Sequence, residues 1–238
     1  MFDAKRLLED FLGGGNSGGG AGYGKAGTFA AGAATGGLVG LLLGSKKAKK
    51  IGGSLLGYGG AAVLGGLAYR AWQNHQNRST AARSAEPAAL TSRSAAAAAT
   101  RPLPAPADSP FDPGAGTAAD GQPFALALIR VMIAAAKADG HIDAEEQSRL
   151  FARINELQLD AEAKAFVFDE LGRDTDLDTI AALPRGPEQA AEIWLAARLA
   201  IDPDDAREKA YIAALAAKLN LPADLVKHLD AQAGAAVA

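Results

Sequence analysis

A small residue recurs at every fourth position twice in this chain, at Gly32, Gly36, Gly40 and Gly44, and again at Gly53, Gly57, Ala61 and Gly65. Residues four apart share one face of a helix. Such a row lets a second helix backbone come close, as in glycine-packed helix pairs in lipid. Both rows sit in uncharged runs of 19 residues, Ala26–Gly44 and Ile51–Tyr69. Lys46, Lys47, Lys49 and Lys50 separate them. A helix needs about 20 apolar residues to cross a bilayer, and both runs reach the lower end of that range. The expectation is a membrane-associated Gly-zipper helical hairpin over residues 26–72. One full span plus a partial one is the alternative, and a flexible segment or a soluble helix pair is the plain reading. Tyr69 and Trp72 fall where an interfacial aromatic belt would lie. The lysine loop and the arginines at 70, 78, 83 and 93 favour opposite sidedness, so the side facing the cytoplasm stays open.

The charge balance divides the chain. The formal net charge is -3. Residues 1–119 carry 12 Lys/Arg against 6 Asp/Glu, whereas residues 120–238 carry 12 against 21. A basic, Gly-rich front suits anionic lipid, and an acidic back suits a cation or a basic protein. The chain has no cysteine, which excludes disulfides, thiolate nucleophiles and Cys-ligated zinc.

Residues 1–25 read as a short amphipathic helix followed by a Gly-rich linker, with Phe2, Leu7, Leu8, Phe11 and Leu12 able to share a face. Residues 73–120 are rich in Ala, Ser, Arg and Pro. So few large apolar side chains cannot bury a core, and a disordered linker is expected there. Residues 121–238 form the folded domain. Apolar periodicity and punctuation predict seven helices, at Phe124–Ala138, 143–158, Ala161–Leu171, Leu177–Leu183, Pro187–Ala200, 202–219 and 222–234. Asp143, Asp160 and Asp176 are the expected N-caps, with Pro187 at a first helical position. No stretch alternates with the period of a strand. The fold class is therefore all-α.

Two acidic junctions stand out in this domain. Ile142-Asp143-Ala144-Glu145-Glu146 matches Ile201-Asp202-Pro203-Asp204-Asp205 in the order Ile-Asp-x-acid-acid. Asp139-Gly140 and Glu146 have the spacing of the second half of a calcium loop. The first half is missing, because Ala135 and Lys137 occupy its acidic positions. A hard divalent cation, Ca2+ or Mg2+, would need oxygens from both junctions. The candidate metal ligands are Asp139, Asp143, Glu146, Asp202, Asp205 and Glu208. The competing reading is that these acids cap helices and offset the macrodipole. If both junctions meet, their carboxylates repel unless a cation or a proton intervenes.

The segment Ala134–Glu146, together with Ile201–Asp205 and Glu208–Ile212, resembles the signature of the TerB-like domain, a seven-helical domain named for bacterial tellurite resistance. With the preceding glycine hairpin, the chain is similar to YebE-like bacterial inner-membrane proteins. The resemblance implies a metal site in the acidic cluster and implies no enzymatic activity.

Other chemistries find less support. His75, His141 and His228 are far apart and lack ligand spacing, with His75 expected in the linker and His228 exposed. No phosphate-binding loop or nucleophile–base motif occurs. The excess of acids over the last 119 residues opposes nucleic-acid binding. The expected protein is a membrane-tethered module without enzymatic activity, located at a bacterial inner membrane. It would bind a cation or a protein partner, in envelope or metal stress. Lipid and further copies through the glycine rows are the other expected partners. The alternatives are a purely structural assembly protein and a metal-dependent hydrolase using the same acids.

Overall fold

The computed structural model describes residues 3–12, 60–83, 105–106, 109–138, 159–201 and 206–237. These residues form eight helices and, among themselves, no strand; one isolated bridge pairs Thr117 with Pro123. The fold is all-α, as expected. The helices are α1 (Ala4–Leu12), α2 (Gly60–Arg83), α3 (Phe124–Ala136), α4 (Ala161–Gly172), α5 (Leu177–Ala181), α6 (Pro187–Leu199), α7 (Ala206–Lys218) and α8 (Ala223–Val237). Six of the seven expected C-terminal helices are thus described. The one expected at 143–158 lies outside the described residues.

Local chemistry sets the helix ends. Asp160 accepts a hydrogen bond from Ala163 N at 2.7 Å and Asp176 accepts one from Thr179 N at 2.7 Å, each filling an orphan donor of the first turn. The hydrogen bonds from Thr179 also hold the Asp176 carboxyl below the usual carboxylate range. Asp3 does the same for α1, accepting from Lys5 N and Arg6 N. Beyond α7, Asn220 takes a left-handed φ of 53°. Leu221 N then donates to Ala216 O, closing the helix end.

Helix α6 is the hub. It packs against α2, α3, α7 and α8. All residues from Ala190 to Ala197 are buried, and a helix apolar on every side belongs in a core. Trp194 sits at its centre with 1% exposure, and its Nε1–H donates to Ile212 O on α7. Helix α1 lays Leu7, Leu8, Phe11 and Leu12 onto α2 and α3.

The structure departs from the sequence reading between residues 60 and 120. Residues 60–69 belong to the second uncharged run, yet Ala61, Val63, Leu64, Leu67 and Ala68 are buried within the helical bundle. Helix α2 continues through 83 and packs on α1, α6 and α8. Residues 73–83 therefore extend a helix, where a linker was expected. Residues 109–120 form packed turns. Ser109 and Asp112 accept hydrogen bonds from Phe111 N and Gly114 N, the local turn chemistry of Ser-Pro-Phe-Asp-Pro-Gly. These turns bury Phe111 at 4% exposure, against Tyr69 with ring centroids 5.5 Å apart and Trp72 at 6.0 Å. The expected aromatic belt is thus a protein contact at these two positions. No described helix is long and apolar enough to cross a membrane. Residues 26–59, including the first run and the lysine loop, lie outside the described residues.

Gly65 explains how α2 comes so close. A Cβ there would lie 2.1 Å from Phe111 O and 3.2 Å from Glu192 Oε1. Alanine normally stabilises a helix interior by about 1 kcal/mol relative to glycine. Overpacking a filled core costs about 1–3 kcal/mol. The clash is with backbone, which yields poorly, so Gly65→Ala is expected to lose about 1 kcal/mol net in urea unfolding. A gain in stability would show that α2 does not approach the 109–116 turns this closely.

Candidate functional site

Five of the six candidate metal ligands, Asp139, Asp143, Glu146, Asp202 and Asp205, lie outside the described residues, as does His141. Glu208 lies in the first turn of α7 and is 7% exposed. The helices leading into the two junctions, α3 and α6, pack against each other. Helix α3 ends at Ala136, and Lys137 Nζ donates to Leu171 O at 2.9 Å and to Arg173 O at 2.8 Å. That lysine ties the approach to the first junction to the end of α4. Among the described residues, no group of three or more His, Cys, Asp or Glu is placed to hold a metal ion.

Three polar clusters are formed by residues distant in sequence. In the first, Glu170 is 3% exposed on α4. Its Oε1 lies 3.1 Å from Arg130 Nε and 2.9 Å from Arg173 NH1, and Arg130 NH1 reaches Asp120 Oδ2 at 3.1 Å. This chain of charges pins α4 to α3 and to the turn before it.

The second cluster joins α2 to α8. Asp224 Oδ2 lies 3.1 Å from His75 Nδ1 and 3.5 Å from His228 Nε2. His75 is thus on a helix where a linker was expected. His228 is 14% exposed at its side chain, largely enclosed where exposure was expected. Their convergence was hidden from the sequence by the separation of 149 positions from His75 to Asp224.

The third cluster surrounds Glu192. This side chain is fully buried on α6, and neither carboxyl oxygen has a hydrogen-bond partner among the described residues. Burial raises its pKa well above the ordinary value of 4.5, and the negative charge of Asp112 adds to the rise. The signal was present in the sequence as one acid inside an otherwise apolar stretch, Ala190-Ala191-Glu192-Ile193-Trp194-Leu195. One turn earlier, Glu188 lines an open groove of about 440 Å³ with Ser109, Pro110, Asp112, Arg185 and Gln189. Arg185 is held there by its Nε–H bond to Ala118 O at 2.9 Å.

A family model described as a protein of unknown function, DUF533, matches residues 28–233. The chain belongs to the DUF533 family. The match runs from the first uncharged run to the last helix, so the family unit includes α2 as well as α3–α8. DUF533 is TerB-like, in keeping with the resemblance carried by the acidic junctions. A relative from Yersinia enterocolitica, an uncharacterized protein in the ampR 5′ region, is 28% identical over 98 residues. That match covers 41% of this chain and 70% of the relative. No solved structure matches.

Within this DUF533 chain the Glu170 cluster acts on stability. Removing one partner of a buried ion pair leaves the other charge uncompensated, at a cost of about 3–5 kcal/mol. Arg130 is 12% exposed at its side chain, whereas Arg173 is 53% exposed. Arg130→Met is therefore expected to cost about 3 kcal/mol and Arg173→Met less than about 1 kcal/mol in denaturant unfolding. Equal losses would mean that Glu170 is not buried with Arg130.

Proposed function

We propose that this DUF533 protein is a membrane-tethered binding module without enzymatic activity, at a bacterial inner membrane. Residues 26–59 make the lipid contact, and the glycine rows there bring copies together. The helical domain offers the acidic junctions to a hard divalent cation, Ca2+ or Mg2+, to a basic protein partner, or to both. Envelope or metal and tellurite stress is the setting. The observation that supports this reading most is the packing of α3 on α6. Their C-terminal ends lead directly into residues 139–146 and 202–208, and acids delivered by neighbouring helices can share one counter-ion.

The test uses the full chain, because α1 and α2 cover parts of α3 and α6. A cation present at a hundred times its Kd stabilises by about 2.7 kcal/mol, a rise in melting temperature of about 5–10 °C for a domain of this size. Calcium or magnesium is expected to produce that rise, and Asp139→Asn with Asp202→Asn to abolish it. If no divalent cation moves the melting temperature, the acids are caps and the cation assignment fails. Membrane attachment is tested separately: the full chain is expected in the membrane fraction, released only by detergent. Recovery in the soluble fraction without detergent would remove the tether from the account.

A further inference from the structure

We propose that Glu192 is a proton-binding site in the α2–α6 interface: protonated, it lets α2 and the 109–116 turns close on α6, and ionised, it releases them.

The surroundings of the carboxyl carry the argument. A Cβ built at Gly65 would lie 3.2 Å from Glu192 Oε1, which places this carboxyl of α6 against the glycine of α2. Neither carboxyl oxygen of Glu192 has a donor, and its side chain is fully buried. An ionised carboxylate needs donors or a counter-charge, and among the described residues none is bonded to Glu192. A neutral acid needs neither, and can itself donate. The pocket therefore selects the protonated form.

The charged groups on the packed elements do not change that balance. From the turns, Asp112 adds a like charge. Within one turn of Gly65, α2 carries only apolar residues and Tyr69, whose hydroxyl accepts from Gln73. On α3, Arg130 is engaged by Asp120 and Glu170. On α8, Asp224 and His228 gather with His75, and Asp230 pairs with Arg198 of α6 at 2.7 Å. Helix α7 carries Glu208 and Tyr211; at Glu192 burial comes first and Asp112 second. Glu188, a turn earlier on α6, lines the open groove.

The sign of the linkage follows. The folded pKa is raised, so the docked state is fully stable below the ordinary carboxyl range and loses stability as pH rises toward the folded value. Across that window the open state gains about tenfold in population per pH unit, the factor of one proton.

Amide hydrogen exchange of the full chain, corrected for the intrinsic pH dependence of exchange, reads the opening of residues 61–71. Protection there is expected to fall by about tenfold per pH unit over part of the range from pH 5 to 8, while α3 stays protected. Glu192→Gln is expected to remove this dependence. Asp112→Asn keeps Glu192, and is expected to move the onset to lower pH, because loss of the like charge eases ionisation. A flat profile in the unaltered chain, or the same slope in Glu192→Gln, overturns the proposal. Restored protection at pH 8 on adding Ca2+, lost in Asp112→Asn, would assign the pair to a cation and overturn the proton reading.

Discussion

The contact between Gly65 and the backbone of Phe111 sets the distance at which α2 meets the rest of the bundle. Much else follows from that distance. Helix α2 meets α6 beside Glu192, whose buried carboxyl oxygens have no hydrogen-bond partner among the described residues. The same approach brings the 109–116 turns over α2, where Phe111 fills the space between Tyr69 and Trp72. Farther along α2, His75 reaches Asp224 and ties the helix to α8. Small residues that read as a lipid-packing row thus also serve protein packing, because a close backbone approach is useful in either solvent.

The legible parts of the fold were those fixed by local chemistry. Asp160 and Asp176 are caps because an Asp before an apolar run can accept from the first turn, and the structure has both bonds. Pro187 opens α6 as its fixed φ allows. The helical pattern of 124–136 and 161–172 needed only period and punctuation. The illegible parts depended on contacts between distant residues. Composition alone assigned 73–120 to a linker, but Phe111 packs against Tyr69 and Trp72 and its turns are held by Ser109 and Asp112. Charge-free glycine runs cannot reveal whether they face lipid or protein, since both are apolar. His75 and His228 lacked ligand spacing in sequence and still converge on one carboxylate. Glu192 was visible as an odd acid in an apolar helix, but its place against Gly65 of α2 was not. Of the acidic candidates only Glu208 falls within the described residues.

Family membership and packing join the two halves of the chain into one functional unit. The DUF533 match begins at residue 28 and ends at 233, and α2 stands between the Gly-rich run and the helical domain. In sequence the acidic junctions follow α3 and α6, on which α1 and α2 pack respectively.

The central claim is that α2 is docked on the C-terminal helices. The chain has no cysteine, so two introduced cysteines can carry spin labels without background. Asn74 on α2 and Lys227 on α8 are exposed sites on helices that pack together. Pulsed electron resonance on the doubly labelled full chain is expected to give one narrow, short distance distribution. A broad or long distribution would show α2 detached from α8 and would contradict the account.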